Sequence, residues 1–541
     1  MAIVYPLANG NWSTVANWYS GGVAYGQLPL ATDDVYSDGK TVTIDQNVTV
    51  ANLYTSQRTG GINGGSFTIT SGSYTINANL NAGGGTCLNF TSTGNLNING
   101  NLNIIGNNAA LVNNGTGTIT IIGNISNTLA YSNIVQNTNN NANLIVTGNI
   151  TITGNSINTV CGIINNGTNS KVTFTGNIAI NSADYTSGIN NSSNNSAAVI
   201  VNGTVNGGYG VGAAQTALYN FATSGTVILN GIASALNGTG AKNANTGTLT
   251  INGNQTVVGN ATTYCILNSS SGIVNVNGDI LGALSSSPST AYMLNNSGTG
   301  TVNISGNVTA RSVSPSTTVG IVNNASTGTI NVTGNVTGGS VANTIGISNA
   351  STGTINVTGN ITGGSNATNT PAIYSTTAGT VDVTGSCNAD AYPALFSTAT
   401  TATNRLRGDV TAKNGIVAYY VFKLNISPTA AQQFTFQDTS NVNRVIATSN
   451  ISPGAPAPAN VRFGTVYGSS SEFTGTLRVP LPQYVSQGVL TDNTVGTAYL
   501  SATDVWNVLT STMTTAGSIG ERLKNASTVQ TTGDQLASYI V

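Results

Sequence analysis

The chain has 541 residues, 66 of them Gly and none of them His, with 14 basic against 15 acidic side chains and only 5% charged residues, where an ordinary soluble domain carries about 25%. Without His, and with two Glu (Glu472, Glu521) and 13 Asp, a serine or cysteine hydrolase triad, a His general base or a His-built metal site cannot be assembled within it. A net charge of -1 lacks the basic footprint of nucleic-acid binding, and no Lys/Arg cluster flanks an apolar segment as a membrane surface would require.

Richness in Val, Ile and Thr, rather than charge, argues for a folded β-protein instead of a disordered chain. The opening MAIVYPLANGNWS has neither the basic start nor the apolar run of a secretory leader, and no 18-residue apolar stretch occurs anywhere. The expectation is a protein made in a cytoplasm with no membrane insertion. Residues 9–45 hold two Trp six apart (Trp12, Trp18), the pair Asp33 and Asp34, and an alternating strand at 42–44.

From 59 to 381 the only charged residues are Lys171, Asp184, Lys242, Asp279 and Arg311, and internal similarity dominates. The clearest copies are TGTVNISGNVTA (299–310), TGTINVTGNVTGG (327–339) and TGTINVTGNITGG (352–364). The Gly after each apolar alternation marks the repeat: Gly100, Gly123, Gly148, Gly176, Gly203, Gly231, Gly253, Gly278, Gly306, Gly334, Gly359, Gly385 and Gly408, at intervals of 22 to 28 residues. Inside one copy Ile330, Val332 and Val336 alternate with Asn331 and Thr333, the period-2 signature of a strand with one buried face. A helical period is absent, and a propeller blade would need about 40 residues. Two or three short strands per period fit one coil of a parallel β-helix, about 13 to 14 coils in all, stacked at about 4.8 Å.

Two columns follow from this register. Four residues before the turn Gly or its equivalent stand Asn113, Asn166, Asn243, Asn268, Asn296, Asn324 and Asn349, expected to stack as an amide ladder. The residue between the two inward apolar positions points outward, and from Thr75 to Asp382 that column is polar except at Ile145, Ile200 and Ile228. Aliphatic residues grouped on a polar face mark a contact surface, so these three are the expected oligomer contact, with a cyclic homotrimer as the expected assembly. Cys87, Cys161 and Cys265 precede short apolar strands and are expected as buried free thiols, since Cys161 and Cys265 lie about four coils apart, beyond the reach of a disulfide.

An open β-helix end exposes core and strand edges, and Trp12 and Trp18 are the expected core cap. Beyond the repeats, 416–451 turns strand-like again, PGAPAPAN at 453–460 is a stiff linker, and short helices are expected through Trp506 and Leu509, at Ser518 with Glu521, and at Thr532 with Gln535. The expected organisation is an all-β chain: an N-terminal cap at 1–60, the parallel β-helix at 61–411, a β-rich region at 412–452, the linker at 453–460, and a C-terminal β/helical attachment or oligomerisation region at 461–541.

Two segments resemble known families. The Trp-Ser, second Trp, Pro, Asp-Asp-Val and Gly-x-x-Val-Thr-Ile of the first 45 residues look like the N-terminal motif of many viral and bacterial β-helix surface proteins. VRFGTVYGSSSEFTGTLRVP, GVLTDNTVGTA and DVWNVLTSTMTTAGSIGERLKN are similar to segments near the C-termini of bacteriophage tail-fibre and other virion surface proteins. The resemblance implies a virion structural protein, assembled in the host cytoplasm, that meets other virion proteins and a host-surface glycan or protein receptor. The reading it favours is a tail fibre or spike; a capsid decoration or head fibre and a polysaccharide-cleaving tailspike are the alternatives. Receptor reading is expected on loops 206–223, 282–295 and 310–320.

Chemistry is sparse. Glycoside hydrolysis needs paired carboxylates about 5 to 10 Å apart. Asp184 and Asp279 are separated by about four coils, while Asp382 and Asp390, with Arg405 and Arg407 one coil on, are expected as an exposed cluster rather than a catalytic pair. Asp33, Asp34, Asp38 and Asp45 lack EF-hand spacing and are assigned to turns and the cap. The Gly-rich runs lack the GK[ST] of a phosphate loop. No catalytic residue, cofactor or metal is expected.

Overall fold

The computed structural model describes residues 1–60, 64–84, 86–106, 109–128, 133–153, 160–181, 186–207, 215–235, 238–257, 263–282, 291–310, 322–324, 327–339, 345–364, 371–389, 394–397, 403–408, 410–412, 423–426, 433–437, 443–447, 466–467, 473–474, 485–491, 494–495, 497, 516–518 and 521–522. The chain divides into two compact units, Met1–Ser449 and Asn450–Val541.

The first unit is an all-β solenoid of stacked parallel strands. Three strands recur in each coil. The first face is a 16-stranded parallel sheet running from Gly10–Asn11 to Leu395–Ser397. The second face carries the five-residue strands such as Thr118–Ile122, Thr226–Asn230 and Thr354–Thr358. The third face begins just past the marker Gly, as in Ile125–Asn127 and Ile280–Gly282. Strand pairing continues past residue 412: Lys423–Ile426 lies parallel to Thr403–Leu406, and Gln433–Gln437 then turns antiparallel onto Asn443–Ala447.

The alternation seen in the sequence becomes burial. In Thr329–Thr333 the inward Ile330 and Val332 are buried while Thr329, Asn331 and Thr333 face out, and the next copy repeats the pattern one rung on, Ile330 beside Ile355 and Val332 beside Val357. The core is a file of Val, Ile and Leu, punctuated by Phe67, Phe90 and Phe174. Each side chain packs on its counterpart above and below, so a coil cannot bury its apolar edge without neighbours.

The marker glycines stack as well, and Gly176 shows why the position demands Gly. Its φ is +142° and a Cβ there would lie 2.0 Å from the carbonyl oxygen of Gly148, the marker one coil earlier. Backbone strain and collision act together, which is the physical basis of the most regular signal in the sequence. After the marker, the turn Asn receives the backbone N–H of the next coil: Asn149 N–H donates to Asn124 Oδ1 at 2.9 Å, and Asn177 N–H to Asn149 Oδ1 at 2.9 Å.

At the N-terminus, Ile3–Pro6 runs antiparallel to Trp18–Ser20 and parallel to Asp34–Tyr36, which passes the register to Val48–Tyr54. Trp12 and Trp18 are 2% and 0% exposed, meet edge to face with ring centres 4.8 Å apart, and are fixed by the Trp18 indole N–H donating to the Trp12 carbonyl at 2.9 Å. Phe67, in the core behind, lies 6.4 Å from Trp12. Two large side chains with one internal polar bond are thus buried at the N-terminal end of the core at little polar cost.

In the second unit, helix is described only at Glu521 and Arg522. Ser518 Oγ accepts the Glu521 N–H at 3.1 Å, as a capping box requires, but the Glu521 carboxylate accepts from Gly517 N–H, one residue earlier than the box would place it. The helices expected through Trp506 and Leu509 and at Thr532 with Gln535, and the linker at 453–460, lie outside the described residues.

Candidate functional site

An amide ladder is present; it includes Asn137, Asn191 and Asn220, which the expected column lacked, and in one coil it is shifted by one residue. Its hydrogen-bonded members are Asn113, Asn137, Asn165, Asn191, Asn220, Asn243, Asn268 and Asn296, all fully buried at the end of first-face strands, and the register continues to the expected Asn324 and Asn349, the latter buried with its Nδ2 on the Gly353 and Thr380 carbonyls. Each Nδ2 donates to the Oδ1 of the next member, at 2.9 to 3.0 Å for six of the seven steps and 3.3 Å for Asn243 to Asn268. Asn165, not Asn166, occupies the column. The turn there is longer: Asn165 Nδ2 also donates to the carbonyl of Ser170, five residues on, whereas Asn243 reaches Gly247, four residues on. Counting four back from Ser170 therefore lands one residue off the ladder. The following Gly makes room for the amide, since a Cβ on Gly272 would lie 2.3 Å from Asn243 Nδ2.

The outward column of the second face has the expected register. Thr120, Ile145, Thr173, Ile200, Ile228 and Thr250 are successive neighbours, so Ile200 and Ile228 touch rungs and Ile145 stands one Thr away. All three isoleucines are half-buried while their flanking residues Leu144, Val146, Val199, Val201, Val227 and Leu229 are wholly inside. Farther along, Asn275, Asn303, Asn331 and Asn356 form a surface amide ladder with 2.8 Å bonds that ends beside Asp382.

Asp382 is engaged by arginine. Arg407 grips it bidentately, Nε to Oδ1 at 3.0 Å and a terminal guanidinium nitrogen to Oδ2 at 2.7 Å, and Arg405 approaches to 3.9 Å. The contact raises the Arg407 pKa further, through hydrogen bonding to Asp382 first and its charge second. Asp279 replaces Asn in the stacked turn column and accepts from Asn307 N–H at 2.7 Å and Nδ2 at 3.1 Å. Asp184 and Asp390 lie outside the described residues, as do residues 208–214, 283–290 and 311–320 of the three expected receptor loops.

Each of the four Asp in the first 45 residues is occupied by a protein donor. Asp33, 2% exposed, accepts from Tyr25 OH at 2.6 Å, Leu30 N–H at 2.8 Å and Ala2 N–H at 3.0 Å. Burial alone would raise its pKa, but these three donors outweigh it and hold the carboxyl below its ordinary value. Asp34 accepts from Asn52 at 2.7 Å, Asp38 pairs with Arg58 at 3.3 Å, and Asp45 accepts both N–H and Oγ–H of Ser13. No group of three His, Cys, Asp or Glu that could hold a metal occurs among the described residues.

One feature was not anticipated from the sequence. The outside of the first face carries aromatic side chains on successive rungs: Tyr264 and Tyr292 stack with ring centres 5.2 Å apart, and Tyr374 and Phe396 at 5.4 Å. Lys242 places its ammonium 5.3 Å over the Tyr219 ring, one rung away. Burial lowers the Lys242 pKa and raises that of Tyr219. The signal available was aromatic recurrence at the coil interval, 28 residues for Tyr264 and Tyr292 and 22 for Tyr374 and Phe396.

Among the described residues no helix is long and apolar enough to cross a membrane. Comparison with known proteins found no matching family model, no matching curated protein and no matching solved structure.

Proposed function

We propose that this chain is a virion structural protein, a bacteriophage tail fibre or spike whose β-helical rod, of about 13 to 14 coils, contacts the host cell surface. In this reading it works as a homotrimer, joins other virion proteins, and is assembled in the host cytoplasm. The observation that carries the reading is the character of the rod's outside. It is nearly uncharged, yet it presents half-buried Ile145, Ile200 and Ile228 on one face and the Tyr219–Lys242, Tyr264–Tyr292 and Tyr374–Phe396 pairs on another. Such surfaces suit association and the binding of a glycan or protein receptor. The two sequence resemblances at the ends of the chain give the virion context.

The neutralisation of Asp382 by Arg407 weighs against the tailspike alternative, because a glycosidase needs one carboxyl free to donate a proton and a second as base or nucleophile. The reading is tested with an antibody raised to the chain. Gold-labelled antibody should decorate projections of intact virions, and its monovalent fragment should block adsorption to host cells. Label on the head alone, with adsorption unaffected, would favour a decoration protein.

A further inference from the structure

The chain contains 12 Asn-Gly dipeptides, the sequence most prone to spontaneous loss of side-chain ammonia, because Gly leaves its backbone nitrogen unhindered beside the Asn amide carbon. Nine of the twelve Asn fall on described residues: Asn9, Asn99, Asn114, Asn166, Asn202, Asn206, Asn230, Asn252 and Asn277. Their surroundings are not alike. Asn99, Asn202, Asn230, Asn252 and Asn277 belong to surface amide ladders, with bonds of 2.7 to 2.8 Å to the neighbouring Asn. Four of the Gly that follow them, Gly100, Gly203, Gly253 and Gly278, donate their N–H to the next coil. Asn9 Oδ1 accepts from Thr41 N–H, Asn206 Oδ1 from Ser234 Oγ, and Asn114 bonds both Asn89 and Thr138.

We propose that Asn166-Gly167 is the fastest-deamidating site among the nine described Asn-Gly pairs of the folded rod. Asn166 is exposed, its side chain makes no hydrogen bond among the described residues, and the Gly167 N–H has no acceptor there either. The residue is the one displaced from the buried ladder by the longer turn, which puts Asn165 inside and leaves Asn166 free on the surface. The exposed Asn166 amide is held by no described partner, and the Gly167 nitrogen, although its residue is buried beside the Asn139 carbonyl, breaks no hydrogen bond to leave its place. In the reaction the Gly167 nitrogen gives up its proton to solvent base and bonds to Asn166 Cγ, ammonia departs, and a succinimide results. Water then opens either carbonyl, giving aspartate or isoaspartate. One new negative charge appears on a stretch, 59 to 381, that holds only five charged residues.

The experiment incubates the full-length protein at mildly alkaline pH in water enriched in oxygen-18, then maps peptides by mass spectrometry with fragmentation that distinguishes isoaspartate. A parallel sample is held in denaturant. In the folded protein, label should accumulate at Asn166 several-fold faster than at Asn202, Asn252 or Asn277, whereas in denaturant the four sites should react at similar rates. An Asn166→Gln variant should remove the dominant product among the nine described pairs and leave the other eight unchanged. Equal labelling of Asn166 and the ladder Asn in the folded protein would overturn the proposal, as would a dominant site at any other described Asn.

Discussion

Asn191 Nδ2 donates to Asn220 Oδ1 at 3.0 Å across one coil, and both side chains are wholly buried. Asn220 in turn donates to Asn243 at 3.0 Å and to the Thr248 carbonyl at 3.2 Å. A polar column inside an apolar rod is stable only because each member satisfies the next. Asn220→Ala would strand the Asn191 amide and the Asn243 carbonyl, each at about 1–3 kcal/mol. The expected loss is about 3–5 kcal/mol, read as a lower denaturant midpoint. Asn220→Asp should be worse at neutral pH, since it buries a carboxylate opposite an acceptor. Desolvation would raise that Asp's folded pKa, so its protonated form is the tolerated one and the deficit should shrink as pH falls towards the unfolded carboxylate value. A midpoint for Asn220→Asp that does not move with pH would contradict the buried geometry.

The stacked markers make a second, steric prediction. Gly176→Ala meets the Gly148 carbonyl 2.0 Å from its new Cβ, whereas Gly21, at φ +62°, has open space around it. Gly21→Ala should therefore cost only the left-handed penalty of about 1–2 kcal/mol. Gly176→Ala adds displacement of a neighbouring coil and should cost more than about 4 kcal/mol. Thermal melts of the two variants side by side would show the ordering, and a similar effect for both would mean that the coils are not packed as described.

These two columns also show what the sequence makes legible. The marker Gly recurs because collision and φ both forbid a side chain, so its spacing reports the coil directly. The buried Asn column is legible only in part, because its position is fixed relative to a turn whose length varies. Where the amide reaches a carbonyl four residues on, as at Asn243, Asn268 and Asn296, the count works; at Asn137 and Asn165, where it reaches five residues on, the count misses or slips. A single-residue slip moves a side chain off its column, so Asn166, expected in the ladder, lies on the surface just past the strand end at Asn165. Once the coil interval is known, it brings Arg405 and Arg407 beside Asp382 and Tyr292 beside Tyr264, but the bidentate grip of Arg407 and the stacking of the two rings are matters of side-chain geometry that no sequence pattern carries.

All four cysteines are buried free thiols, Cys387 among them. Burial pushes Cys87, Cys265 and Cys387 up to about 12 and Cys161 to about 11. Only thiolates react, so the native protein at pH 8 should leave a thiol reagent unconsumed, and denaturant should release four equivalents. Cys161 aligns with Ser187, Thr216, Thr239 and Tyr264 on successive rungs, which separates it from Cys265 by four coils. Mass spectrometry under denaturing, non-reducing conditions should find no Cys161–Cys265 bridge.

The N-terminal Asp33 should set an acid limit on stability. Asp33 has its carboxyl held below the ordinary value by Tyr25, Leu30 and Ala2, so it stabilises the fold above the unfolded carboxylate value of about 3.9. That contribution is lost as pH falls through the folded value. Its partner Tyr25 is shifted the other way, first by the hydrogen bond to Asp33 and then by burial. Tyr25 therefore stabilises the fold below about 10, with loss as pH rises through its higher folded value. Asp33→Asn should flatten the acid side of the melting-temperature profile while lowering its plateau. A variant whose acid limb matches the parent protein would place the titrating group elsewhere.

The proposed trimer rests on the second face. Ile200 and Ile228 are direct neighbours, Ile145 is two rungs from Ile200, and the column around them is Thr or Asn. Thr120 and Thr250 bound the stretch, so the patch has a defined length of a few coils rather than running along the whole rod. A closed ring of rods would bury these side chains against their equivalents, whereas Asn275, Asn303, Asn331 and Asn356 farther along the column already pair their amides along the stack. Ile145→Thr, Ile200→Thr and Ile228→Thr combined keep β-branching and touch no inward residue, so circular dichroism should be unchanged. Light scattering should nevertheless report a native mass falling from the trimer towards the single chain. If the triple variant keeps its full mass, association lies elsewhere, with residues 461–541 the next region to truncate.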